Sequence, residues 1–226
     1  MSRDDIVIIC GDFGLWNKCG EEDWWLDWLN KKSFTTVFVD GNHENFDRLY
    51  SDEFKIIDFH GGKAHKIRSH IYHLMRGYIF EFDGKKFWAF GGAQSHDIQD
   101  GILDRDNYPD NESFLADVKL HSLFGMRFRI NHVSWWKQEL PTKDEMDFGM
   151  KQLEANNNEI DYIITHCCPQ EIATINGFRG ADIETMFFDD IARKVKFNKW
   201  YFGHYHDNRQ TYGKFVMLYQ NIERII

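Results

Sequence analysis

The chain has little that would tie it to a membrane, an oxidising compartment or nucleic acid. Its 226 residues include no apolar run near the roughly 20 residues that span a bilayer. The start, Met-Ser-Arg-Asp-Asp, has no apolar core of a secretory leader. A soluble, cytoplasmic protein is the expectation. There are only four cysteines, with no C-x-x-C spacing, and the adjacent Cys167 and Cys168 have poor geometry for a disulfide, so reduced thiols are expected. Lys and Arg (27) are outnumbered by Asp and Glu (36), and the resulting net charge of -9 repels a phosphate backbone at long range. Nonspecific nucleic-acid binding is therefore not expected, although a local basic or metal-rich cleft could still take phosphate. Repeats and low-complexity linkers are also lacking. With 42% hydrophobic and 16% aromatic residues, one domain over residues 1–226 with one sizeable core is expected.

Short apolar runs at Asp5–Cys10, Thr35–Val39, Tyr162–Thr165 and Trp200–Phe202 predict strands, the first of them buried on both faces. Helices are predicted at three places. One spans Asp182–Lys196, with Ile183, Phe187, Ile191 and Val195 on its inner face. Another follows Pro141, where Thr142 and Glu145 have capping-box spacing and Asn156 marks the stop. The third covers Glu21–Lys32, whose Trp24, Trp25 and Trp28 are assigned to core or helix–sheet packing. Ile71–Phe90 suggests an antiparallel meander turning at Gly77 and Asp83-Gly84. Gln94–Trp136 is polar and turn-rich, an excursion over one end of the sheet. An α/β class with mixed sheets follows.

Each of the four apolar runs ends in a metal-capable residue: Asp12, then Asn42 with His43, then His166, then His204 and His206. In open α/β sheets the carboxyl ends of the strands bring such groups to one crevice. A carboxylate, an amide and imidazoles make a mixed oxygen and nitrogen set suited to Mn, Fe, Zn, Ni or Co rather than to a calcium cage. Gly11, Gly41 and Gly203 allow the backbone to turn sharply and approach the site. An extended His204-Tyr205-His206 would send both imidazoles to one side. Gln94, Ser95, His96 and Asp97 follow a Gly91-Gly92 turn and are candidates for the substrate side of the crevice. His60, His65, His70, His73, His121 and His132 have no partner pattern and are assigned to the surface or to satisfied core positions.

The segments G-D-F-G, G-N-H-E, T-H-C and G-H-Y-H, in that order from Gly11 to His206, resemble the successive motifs of calcineurin-like metallophosphoesterases. The resemblance implies a sandwich of two mixed β-sheets flanked by helices and hydrolysis of phosphomonoesters or phosphodiesters with one or two divalent transition metals. Asp12 would bridge the metals, Asn42, His166 and His204 would complete one shell, and His206 would belong to the other. His43 would be the acid or electrostatic group assisting the departing oxygen.

The family opens with a strand ending in D-x-H, and no such motif stands before Asp12 in this chain. The expectation is therefore a fold without its first strand, and a second metal left with Asp12 and His206 alone. An open sheet edge covered by a second copy, another protein or residues preceding an internal Met1 is also expected. Asp58-Phe59-His60-Gly61 matches D-x-H-G, but in the wrong place along the chain. The rival reading is a catalytically impaired module of the same fold, serving as a scaffold or a phosphate sensor.

Overall fold

The computed structural model describes residues 1–225. In chain order the elements are β1 (Ile6–Ile9), α1 (Gly20–Asn30), β2 (Thr35–Phe38), α2 (Phe46–Leu49), β3 (Lys55–Phe59), β4 (Gly62–Arg68), β5 (Ile71–Leu74), β6 (Ile79–Phe82) and β7 (Lys85–Phe90). They continue with β8 (Ile102–Leu103), α3 (Asn111–Leu123), β9 (Arg129–Ile130), α4 (Lys143–Ala155), β10 (Tyr162–Thr165), α5 (Gln170–Ile175), α6 (Ile183–Lys194), β11 (Lys199–Phe202), β12 (Arg209–Thr211) and β13 (Phe215–Met217).

Two mixed sheets result. One has five strands in the order β1-β2-β5-β4-β3, and the other has six in the order β12-β13-β11-β10-β7-β6. The parallel strands of the first are β1, β2 and β5, and those of the second are β7, β10, β11 and β13. Between the sheets lie Val37, Val39 and Leu74 from one and Phe80, Phe87, Ile164 and Tyr201 from the other. The outer face of the six-stranded sheet packs Trp88, Phe90 and Trp200 against Leu153 of α4 and Phe188 and Ile191 of α6. Opposite, Phe38 and Ile71 meet Leu26 of α1 and Phe46 and Leu49 of α2. Full burial of each such side chain contributes about 1.5–3 kcal/mol, so three apolar layers hold the sandwich and set the strand ends.

Helix starts follow their local chemistry. Thr142 and Glu145 form a reciprocal capping box at α4, and Asp182 accepts from the Glu184 and Thr185 amides at α6. The inner face of α6 is rotated from the expected one, because Glu184, Thr185, Phe188 and Ile191 are buried while Ile183 is exposed. Other expectations also change. β1 pairs with β2 alone and is half-buried, an edge strand rather than one buried on both faces. Ile71–Phe90 is not one meander: β5 pairs with β2 and β4 in the first sheet, and the chain crosses at Gly77 to the β6–β7 hairpin in the second. Gln94–Trp136 contains a 13-residue helix, α3, started by the Asp110 side chain. The indoles of Trp24, Trp25 and Trp28 are 58%, 52% and 43% exposed, so they do not serve core packing; only Leu26 of that helix is buried.

Behind β2 sits a buried charge network. Asp40 accepts from the Nε of Arg76 at 2.9 Å and from the Nε2 of His73 at 3.0 Å, and the Nδ1 atoms of His73 and His65 are 2.9 Å apart. With the Nε2 proton of His73 on Asp40, its Nδ1 accepts and His65 donates. Burial, with His73 adding to it against the pull of Asp40, brings His65 down to about 4. An imidazole depressed in the fold binds its proton more readily once unfolded, so its stabilising effect is complete above about pH 6.5 and is lost as pH falls toward 4. The urea midpoint should therefore fall as pH drops through that window, by the equivalent of about 3 kcal/mol, and the slope should flatten in His65→Asn.

Candidate metal centre

The two sheets converge where their parallel strands end. His166, just past β10, donates from Nδ1 to the carbonyl of Cys10 at 2.7 Å, a bond from one sheet to the other. Its Nε2 then lies 3.2 Å from Asp12 Oδ1 and 3.3 Å from Asn42 Oδ1. Glycine makes this approach possible: a Cβ on Gly41 would fall 2.1 Å from Asp12 Oδ1, and one on Gly11 would fall 2.1 Å from His166 Nδ1. Asp12 itself is left-handed at φ 53°, and His204 and His206 are too, at 65° and 51°. Three non-glycine residues in that sparsely populated region beside one crevice are strained backbone of the kind found at functional sites.

Neighbouring buried groups orient the donors. The Asn42 amide donates to Ser95 Oγ at 3.3 Å, and Ser95 donates from Oγ and N to the buried Glu139 carboxylate at 2.6 and 2.9 Å. Because the amide nitrogen is engaged, the oxygen of Asn42 faces Asp12 and His166. Asp12 accepts the His43 backbone amide at 3.0 Å. Glu44, fully buried, accepts the amides of Phe13 at 2.7 Å and Leu15 at 3.0 Å and so clamps the loop that follows Asp12. Burial pushes Glu44 up to about 8 against those two donors. Burial also raises Asp12, but His166, foremost by its charge, outweighs it and leaves the carboxyl well below the usual range. Burial lowers His43, and Arg129 adds to this while Asp12 and Asp97 oppose it.

The donor set fits a divalent transition metal. Ligands about 2.0–2.2 Å from such an ion are about 3.0–3.4 Å from one another, and the spacings of His166 Nε2 to Asp12 and Asn42 are of that size. An imidazole nitrogen between two oxygens can donate to only one of them, so a cation at their focus satisfies all three. The bond from Nδ1 to a backbone carbonyl is the usual partner of a metal-bound histidine.

The expected ligands are not all gathered. His204 is turned so that its Nε2 lies 2.7 Å from His96 Nε2, with its ring 5.0 Å from that of His166. The His204–His206 segment is not extended, since both histidines are left-handed, and the His206 ring stacks on Tyr219 at 5.0 Å. Among the described residues no three His, Cys, Asp or Glu side chains cluster as a ligand group; the third donor beside Asp12 and His166 is an amide. Ser95 is buried beneath the crevice and occupied by Asn42 and Glu139, whereas His96 is exposed beside His204 and Gln94 is half-buried. Asp58 and His60 lie in the β3–β4 hairpin at the far edge of the first sheet from β1, and Asp58 pairs with Lys63. Sequence reasoning assigned no role to Glu44 and missed Glu139. The first stands inside G-N-H-E, while the second carries no local signal because its partners are 44 positions away in sequence.

A two-sheet α/β sandwich with this donor set at its strand ends is the metallophosphoesterase fold. The chain belongs to the calcineurin-like phosphoesterase family, whose model matches residues 2–208, a family of metal-dependent phosphoester hydrolases. Among curated proteins no sequence matches. All four cysteines are free, and among the described residues no helix is long and apolar enough to cross a membrane.

Proposed function

We propose that the chain hydrolyses phosphomonoesters or phosphodiesters at the crevice formed by Asp12, Asn42, His43, His166 and His204. The observation that carries this reading is the convergence of Asp12 Oδ1 and Asn42 Oδ1 on His166 Nε2, at 3.2 and 3.3 Å. A divalent transition metal held there, with His204 joining by a ring rotation away from His96, would polarise the phosphoryl group and acidify a water. Glu44 and the Ser95–Glu139 pair keep the donors in register. His43, whose backbone amide binds Asp12 and whose ring is edge-on to Trp16, is assigned the role of giving the departing ester oxygen its proton. An anionic phosphoryl group beside His43 favours its protonated form against burial and Arg129. Four free thiols suit a reducing, cytoplasmic setting.

One observation favours a second reading, a phosphate-binding module with an impaired site: His206 lies on Tyr219 rather than at Asp12. Turnover of aryl phosphate and bis-aryl phosphate by protein loaded with Mn²⁺, Ni²⁺ or Zn²⁺ separates the two. Hydrolysis above the metal-only rate supports the enzyme, and binding of inorganic phosphate without turnover supports the module.

The orienting role of Ser95 has its own consequence. Ser95→Ala should weaken metal binding about tenfold, as loss of a group behind a ligand commonly does. Isothermal titration with Mn²⁺ reads this directly, and an unchanged affinity would detach Ser95 from the site.

A further inference from the structure

Beside His43 the surface opens into a groove of about 490 Å³, between the loop that follows Asp12 and helix α1. That volume lies in the range of about 300–1,000 Å³ usual for small-molecule sites. Its walls are Phe13, Leu15, Trp16, Trp25, Trp28 and Leu29. Leu15 is buried at its base, while Trp25 and Trp28 stand half-open at the rim, set edge to face with ring centroids 5.4 Å apart. Helix α1 gives the core Leu26 and part of Leu29, and its indoles stand at the surface against one another, with Lys32 Nζ 3.5 Å over the Trp28 ring.

The groove adjoins the crevice through Trp16. Trp16, one of its walls, lies edge-on to the His43 ring with centroids 6.0 Å apart, and Phe13 follows Asp12 directly. With His43 taken as the proton donor to the departing oxygen, the group attached to that oxygen lies next to Trp16. Flat aromatic walls select a flat aromatic occupant through edge-to-face and offset contacts. Glu21 and Glu22 also line the groove, with Glu22 held by Arg48. With Glu22 paired to Arg48, the Glu21 carboxylate, in a chain of net charge -9, disfavours an occupant that carries negative charge of its own.

We propose that this groove binds the leaving group of the ester, and that the leaving group is a flat aromatic alcohol without a negative charge. The assignment rests on the hydrolase reading above. It makes Trp16, Trp25 and Trp28 determinants of specificity, while bond cleavage remains with the crevice: the P–O bond to the aromatic alcohol breaks, a water oxygen takes its place on phosphorus, the proton from His43 ends on the departing oxygen, and the proton displaced from the water passes to solvent, from which His43 is reprotonated.

Two measurements test it. In the first, 1-naphthol is added to metal-free protein and the indole N–H resonances are followed. Those of Trp16, Trp25 and Trp28 should shift and those of the buried Trp88 and Trp200 should not. In the second, kcat/KM is compared for 1-naphthyl phosphate and ethyl phosphate with metal-loaded protein. Trp25→Ala and Trp28→Ala, both at exposed positions that the fold tolerates, should each lower the naphthyl-to-ethyl ratio about five- to tenfold. Leu123→Ala, at an exposed apolar position outside the groove, should keep the ratio. Several outcomes overturn the proposal: unshifted groove indoles, an unchanged ratio in both variants, equal shifts with decanol, or sedimentation showing a dimer that buries the three indoles. Shifted resonances with no ester turned over would remove the hydrolase reading, and the leaving-group assignment with it. Intact turnover with unshifted resonances would remove the groove alone.

Discussion

His43→Ala is expected to slow hydrolysis by about 10²–10⁴ while leaving metal content nearly intact, the range usual for loss of one general acid. The side chain is not one of the converging donors; it is the His43 backbone amide that binds Asp12, and alanine keeps that amide. Truncation therefore removes the proton donor without opening the crevice. Alkyl esters should lose more than aryl esters, because a poor leaving oxygen depends more on the proton it receives. Steady-state rates on an alkyl and an aryl phosphate, with metal analysis of the same preparations, decide the matter. Loss of metal in this variant would make His43 a ligand and sink the assignment.

Metal content itself should divide the other histidines. Asp12→Asn and His166→Ala should lose most of the tightly held ion, whereas His206→Ala should keep it. Asp12 and His166 belong to the converging set, and His166 is also locked to the Cys10 carbonyl, so removing either takes away a donor that the fold has already oriented. His206 lies on Tyr219 and would have to leave that stacking to bind. This 226-residue chain should accordingly hold close to one ion per molecule tightly. A second, held by Asp12 and His206 alone, should appear only in excess Mn²⁺ or Ni²⁺, by mass action. Elemental analysis after gel filtration, for the parent and the three variants, gives the result. Equal loss in all three, or two tight ions in the parent, would mean that the sites are coupled and that other groups complete the second shell.

The meeting of Asp12, Asn42 and His166 was legible because a residue type placed just after an apolar run marks a strand end. A carboxylate, an amide and imidazoles each placed after an apolar run mark strand ends whatever the intervening loops do, and Asp12, Asn42 and His166 indeed meet. Capping residues were legible for the same local reason: Thr142 and Glu145 satisfy the first-turn amides of α4 within four residues of chain. The Asp83-Gly84 hairpin is a further case, since its two left-handed residues are a local requirement.

What depended on tertiary contacts was not legible. Whether Ile71–Phe90 is one sheet or two depends on which partners β5 finds, and β2 and β4 pair with it in one sheet while β6 pairs with β7 in the other. The apolar periodicity of α1 is compatible with either burial or exposure of its indoles, and the 13–19 loop, held by Glu44, decides that Trp25 and Trp28 frame a groove. Likewise an H-x-H string leaves the side-chain directions open, and the left-handed backbone at His204 and His206 sends one ring to His96 and the other to Tyr219. By itself the amino-acid sequence determined the donor atoms and the strand ends that carry them, because those follow from residue type and short-range pattern. Only the tertiary structure decided which donors meet, which carboxylates brace them and which apolar face stays open, because those depend on contacts between segments that share no local signal.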